Sequence, residues 1–320
     1  MSYRKWLLRL ILVAAICLAG FLLYRGLSRY SFEEILGSIQ SIPMTRLLGA
    51  FGFAACSYLC LTVFDALGVR YAGKPLPYAK TALASFVSLS IGHNIGVAAL
   101  SSGAIRYRFY SKWGLDAGEV AKVILFSEMT VAVGLITLGG AGMLINPAAA
   151  AEMTGFSAEI IIGVGIACLA SIGVYLLLSV FLRSSLRFRK WTIEMPSLRL
   201  AACQIIIGSL NFAFVAASLH QMLAAFTDAG YLKVVSVYVI ANTTALVSHV
   251  PGGLGVLETA ILYLLPGGTL IGALIAFRFV YFLVPLGFGL TLLFFTERHF
   301  FKEAGAREKE STAAGSRKTA

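Results

Sequence analysis

The feature that most constrains this chain is its succession of apolar runs, each about 20 residues long. They cover residues 6–24, 47–67, 120–144, 160–182, 200–226 and 271–296. As helices, runs of that length cross the roughly 30 Å of hydrocarbon in a bilayer. A transmembrane barrel would instead show short alternating segments, and an unbroken run such as Leu7 to Tyr24 is too long for a strand. Composition excludes the soluble alternative. The chain is 58% apolar and 13% charged, against about 25% charged in a soluble domain. The fold class expected is all-α: a polytopic helical membrane protein with about six full transmembrane helices.

Two further apolar stretches do not fit a plain crossing. Residues 81–101 carry Gly92, His93, Asn94 and Gly96 at their middle. Residues 234–265 carry Asn242, His249 and the run Pro251-Gly252-Gly253-Leu254-Gly255. Glycine and proline at this density break helices, and freed backbone groups must then be buried in protein or line a wet cavity. The basic residues decide the geometry. Arg70, Lys74 and Lys80 precede 81–101, and Arg106, Arg108 and Lys112 follow it. Both flanks belong on the cytoplasmic side, so 81–101 is expected to be a re-entrant hairpin. The loop 145–159 has no Lys or Arg and is expected outside. The loop 183–199 and the tail are basic and expected inside. The stretch 234–265 must then start and end outside, as a second hairpin entering from the opposite face.

The plan helix, helix, hairpin, helix thus occurs twice with opposite orientation. A shift of 153–156 residues overlays 7–24 on 160–182, 47–67 on 200–226 and 120–144 on 271–296. Pro43 and Arg46 meet Pro196 and Arg199, Tyr78 and Lys80 meet Tyr231 and Lys233, and His93 meets His249. The expectation is a membrane domain over 1–300, built as an inverted repeat of halves 1–150 and 151–300. A disordered cytoplasmic tail over 301–320 is expected to follow. Paired interrupted segments of this kind are the sequence pointer to a transporter with its site near the midplane. Both termini are expected in the cytoplasm of a bacterium, around an inner-membrane protein. Ser31 and Glu34 read as a capping box that opens an interfacial amphipathic helix over 31–42.

The net charge of +11 sits between apolar runs, where it sets topology and faces anionic lipid, so no nucleic-acid partner is expected. Cys17, Cys56, Cys60, Cys168 and Cys203 all lie in apolar segments and lack CxxC spacing. They read as small packed residues. The first apolar run exceeds a signal-peptide core and reads as an uncleaved helix. No metal, nucleotide or other cofactor motif is present. Pro251 to Gly255 lacks the GxxxxGK[ST] pattern, and neither candidate histidine has a ligand-spaced carboxylate.

Ionisable residues at membrane depth are the functional candidates. Arg278 could grip a lipid phosphate with its guanidinium fork, or pair structurally with Glu128 or Glu258. Glu128 could recognise a cationic headgroup or serve as that partner. Glu258 could cap a half-helix or meet a headgroup amine. His93 with Asn94, and His249, occupy matching hairpin positions and are candidate substrate contacts; His220 reads as structural. Arg106 and Arg108 read either as positive-inside flanks or as a basic mouth that gathers anionic heads, with Tyr110 and Trp113 at headgroup level. Gly92, Gly96, Gly252, Gly253 and Gly255 are expected to allow close backbone approach or positive φ.

The stretches Ser90-Ile-Gly-His-Asn-Ile-Gly96, Ser101-Ser-Gly-Ala-Ile-Arg-Tyr-Arg-Phe-Tyr110 and His249-Val-Pro-Gly-Gly-Leu-Gly-Val-Leu-Glu258 resemble the flippase region of the lysylphosphatidylglycerol synthase/flippase family, also called multiple peptide resistance factor. The likeness runs from the first helix to about residue 300. Bifunctional members carry further helices and a cytosolic aminoacyltransferase domain, which the sequence to Ala320 does not contain. The resemblance therefore implies a lipid flippase rather than an enzyme. Its substrate would be a membrane phospholipid such as an aminoacyl-phosphatidylglycerol, and a separate lipid-modifying enzyme is a possible partner. With no ATP motif, movement would be passive or coupled to ions or the membrane potential. Two other classes stay open: a non-catalytic accessory subunit of a lipid-modifying complex, and a membrane enzyme acting on headgroups through His93 and Glu258. Oligomeric state is not legible.

Overall fold

The computed structural model describes residues 40–95, 98–181, 186–188, 191–193, 195–248, 250–265 and 270–298, with isolated positions at 33, 36, 37 and 300. The run 6–24, the capping box, most of the amphipathic helix 31–42, Gly96, His249 and the tail lie outside the described residues. What is described is helical apart from one small hairpin. In chain order the elements are α1 (Met44–Tyr71), α2 (Tyr78–Ile95), α3 (Ala98–Lys112), α4 (Ala117–Ile145), α5 (Pro147–Thr154), α6 (Ala158–Phe181), β1 (Leu186–Phe188), β2 (Trp191–Ile193), α7 (Leu198–Leu223), α8 (Tyr231–Ser248), α9 (Val256–Leu264) and α10 (Ile271–Arg298). Six of these helices are long and apolar enough to cross a membrane: α1, α4, α6, α7, α8 and α10.

Local chemistry sets several boundaries. Asp116 caps α4 by accepting from the Glu119 amide at 2.8 Å, while Glu119 accepts from the Asp116 amide at 2.9 Å. This reciprocal box satisfies two donors that a helix start leaves open. Asn146 and Pro147 start α5, and Gly155 ends it at φ 75. Ser197 caps α7. β1 and β2 form an antiparallel ribbon in the basic loop between α6 and α7.

The packing defines two ends of the bundle. α1 and α7 lie side by side. Arg46 reaches Gln221 at 3.3 Å, Ser218 donates to Ala50 O at 3.0 Å, and Ser57 donates to Asn211 at 2.7 Å. Partners descend on one helix as they climb on the other, so the two are antiparallel. α4 runs with α7: Gln204 bonds Thr130 at 3.0 Å, and Gly134 sits against Gly208. A Cβ on Gly134 would fall 2.4 Å from the Gly208 carbonyl carbon, so this crossing brings backbone against backbone and excludes any side chain.

From this frame hang two helical hairpins, α2–α3 and α8–α9. α2 leaves from the C-terminal end of α1 and α8 from the C-terminal end of α7. Because α1 and α7 are antiparallel, the hairpins enter from opposite ends. Their tips meet: a Cβ on Gly252 would lie 3.5 Å from His93 O and 3.6 Å from Asn94 O. α2 and α8 are each 18 residues long and both begin at a tyrosine, Tyr78 and Tyr231.

The hairpin bounds differ from the sequence expectation. α2 stays helical through Gly92, His93 and Asn94, and the break falls after Ile95. The second arm runs on to Lys112, so Arg106 and Arg108 belong to the hairpin and not to a loop after it. Neighbouring helices supply enough partners for the glycine-rich segment to remain regular. In the other hairpin, α8 is itself a long apolar helix, and only α9 is short.

Candidate functional site

Where the hairpin tips meet α1, α4, α7 and α10, the bundle forms a partly open cavity of about 350 Å³. Its polar lining comes from His93, Arg106, Ser127, Glu128, Asn211, Tyr238, Asn242 and Tyr281. Leu89, Val131, Phe212, Leu257 and Phe282 supply apolar wall. This mix of apolar wall and a few converging polar groups is typical of a ligand site, and the size is near the lower end for one.

The site is built on buried ion pairs. Arg106 is 1% exposed and Asp65, on α1, is fully buried. Arg106 Nη2 and Nε reach the carboxylate at 2.7 and 2.9 Å, and its Nη1 donates to Ser102 at 3.0 Å. Asp65 also accepts from the Tyr110 hydroxyl at 2.6 Å and from the Ser127 hydroxyl at 3.2 Å. Each Asp65 oxygen therefore has at least two donors, which is what a charge at this depth requires. Neither reading offered for Arg106, a positive-inside flank or a basic mouth, describes a side chain this buried, and Tyr110 is buried with it. Arg106 turns inward because Asp65 holds it. Asp65, which anchors the cavity-lining Arg106, is the residue that the sequence reading missed, although a lone carboxylate inside the apolar run 47–67 was the available signal.

Arg278 lies across the cavity from this pair. Its Nε donates to Glu258 Oε1 at 2.5 Å and its Nη2 to Oε2 at 3.1 Å. Nη1 and Nη2 also donate to the carbonyls of Gly252 (2.6 Å) and Gly253 (3.0 Å), and the guanidinium stacks 4.6 Å from the Phe282 ring centroid. Of the two partners considered from sequence, Glu258 has the contact and Glu128 does not. Glu258 Oε2 also accepts from the Gly255 amide at 2.9 Å at the start of α9. Gly252, Gly253 and Gly255 hold φ of 60, 58 and 84, a region costly to any residue with a Cβ, whereas Gly92 sits inside α2. Arg108 pairs with Glu297 near the C-terminal end of α10 through a two-pronged contact and does not line the cavity.

Two lining groups have no hydrogen-bond partner among the described residues. Glu128, half-buried, makes no ion pair or hydrogen bond among the described residues. His93 Nδ1 is buried with no hydrogen-bond partner. Asn94 is occupied: its Nδ2 donates to Ser90 O at 2.8 Å and to Phe282 O at 3.4 Å. Among the described residues, no three His, Cys, Asp or Glu stand close enough together to hold a metal ion. Of the charged residues that line the cavity, Arg106 is bonded to Asp65, while Glu128 is bonded to neither and feels the charge of both.

Against known proteins, the chain is 33% identical over 265 residues to the uncharacterized protein slr0712 of Synechocystis sp., covering 82% of each chain. It belongs to that protein's family. It is also 28% identical over 270 residues to the inner membrane protein YbhN of Escherichia coli, covering 81% of this chain and 82% of that protein. A more distant similarity, 20% over 299 residues, is to a phosphatidylglycerol lysyltransferase of Staphylococcus haemolyticus. That match takes in 88% of this chain but only 34% of the longer protein. No protein-family model matches the chain.

Proposed function

We propose that this membrane protein is a lipid transporter of the bacterial inner membrane. It moves an amine-bearing phospholipid, such as an aminoacyl-phosphatidylglycerol, between leaflets through the central cavity. The observation that carries the reading is Glu128, an unpaired carboxylate in a mid-bundle cavity between two opposed hairpin tips. An anion in such a site attracts a cation, and an ammonium headgroup is the cation a membrane supplies in quantity. His93 Nδ1, Asn211 and Asn242 offer neutral polar contacts to the phosphate and glycerol oxygens. About 350 Å³ holds roughly a dozen waters, enough for a headgroup but not for two acyl chains, which would stay in the bilayer.

The inner-membrane name of YbhN and the lipid chemistry in the lysyltransferase's name support the location and the cargo class. The orientation we propose puts the end bearing Arg70, Lys74, Lys80, Lys112, Arg199 and Arg298 in the cytoplasm. The experiment is reconstitution into vesicles with headgroup-matched fluorescent lipids, scored for exchange between leaflets. Amine-bearing lipids should exchange at least tenfold faster than with empty vesicles, and phosphatidylglycerol more slowly. Equal rates with and without protein, for every lipid, would sink the reading.

A further inference from the structure

α10 contains one turn of π helix, Phe279–Leu283, in which the Val284 amide donates to Phe279 O five residues back. Such turns hold an extra residue in the helix and occur mostly at functional sites. Three sets of contacts converge on this one. Arg278, just before it, grips Glu258 and the carbonyls of Gly252 and Gly253 in the second hairpin. Phe282 O accepts from Asn94 at the tip of the first hairpin, at 3.4 Å. Tyr281 O accepts from Tyr58 on α1 at 3.3 Å, and the Tyr281 hydroxyl lies 2.9 Å from that of Ser57.

We infer that the π turn is a mechanical joint coupling the two hairpin tips, with Tyr58 and Asn94 as positioning residues for Arg278. The carbonyls of Tyr281 and Phe282 accept bonds from outside their own helix, which helps hold the widened turn in place. Returned to the α register, the turn would give up its extra residue and these carbonyls would move relative to Tyr58 and Asn94. The segment 271–278 would then turn by about 100° against the rest of α10. Arg278 would swing away from Gly252 and Gly253, so release of the first tip becomes release of the second. A one-step register change of this kind is discrete, as a two-position device needs to be.

The tips also touch directly through Gly252 and the His93 and Asn94 carbonyls, so the two routes must be separated. Tyr58 does this: its hydroxyl bonds Tyr281 O and neither tip. Hydrogen exchange read by mass spectrometry, on the whole protein in lipid nanodiscs, tests the idea without reference to any cargo. Tyr58→Phe keeps the ring and removes one bond. It should raise exchange two- to tenfold both in 279–284 and in 250–256, where the Gly253 and Gly255 amides report. A rise confined to 279–284, or no rise, overturns the inference. Should 130–140 in α4 loosen as well, the variant has lost its fold. Asn94→Ala then decides on the same terms: a rise in both 279–284 and 250–256 supports the joint, and a rise in 250–256 alone marks the direct tip contact and overturns it.

Discussion

At the scale of single residues, the bundle separates charges that hold it together from one that is free to work. Asp65 and Arg106 belong to the first kind. Asp65→Asn leaves a buried guanidinium short of its counter-charge and should cost about 3–5 kcal/mol, read as a fall in the unfolding midpoint in detergent. Asp65→Leu combined with Arg106→Met removes both charges and should recover most of that loss. Glu128 is the second kind: Glu128→Gln should leave the midpoint within about 0.5 kcal/mol of the parent and cut lipid exchange tenfold or more. Equal exchange in parent and variant would remove Glu128 from the site. Arg278→Gln and Glu258→Gln should be non-additive in stability by about 1–3 kcal/mol, because they share one contact. Residue-level legibility was uneven for a physical reason. Arg278, Glu128 and His93 stand out as polar groups in apolar runs, whereas the carboxylate of Asp65 is one letter near the end of a run whose average hydropathy stays high. The inward turn of Arg106 depends on a partner 41 positions away in sequence, which no local pattern encodes.

At the scale of elements, glycine does two different jobs. In the turn before α9 it supplies backbone angles. Gly253→Val would hold a β-branched side chain at φ 58 with its Cβ 3.0 Å from that of Ala245. The expected cost is about 1–3 kcal/mol together with loss of the Arg278 grip, seen as faster exchange of the amides at positions 253 and 255. In α4 and α7 it supplies proximity. Gly134→Leu has to push two helix backbones apart and should leave the protein unable to fold in the membrane, measured as loss of the monodisperse peak in size-exclusion chromatography. The first hairpin was readable from the basic residues on both flanks of 81–101, because a simple crossing would strand one flank outside, and the second from 234–265 having to start and end on one side. Their bounds were not. Ser90, Asn94 and the packed faces of α10 keep α2 helical through a glycine-rich segment that would break if left to its own propensity.

At the scale of the whole molecule, the antiparallel pairing of α1 with α7 fixes which loops share an end. With native cysteines replaced, Pro75→Cys and Ser111→Cys should both label from one side of the membrane, and Asp228→Cys from the other. Labelling of positions 75 and 111 from opposite sides would undo the hairpin plan. That plan was legible because charge asymmetry and element order are written along the chain, while the meeting of the two tips is a product of three-dimensional packing. The pairing of α1 with α7 also has a consequence for symmetry. Ser57 and Asn211 face each other 154 positions apart, within the 153–156-residue shift expected from sequence to overlay the two halves, so they lie where the two-fold axis of such a repeat would pass. A true axis demands the same side chain on both sides. Here one residue gives a proton and the other receives it, so turning the bundle end for end does not reproduce it at the one point where it must. The two opposite poses of anything resting on that point are therefore unequal in energy, a difference that biases how it rests there but sets no net direction of travel.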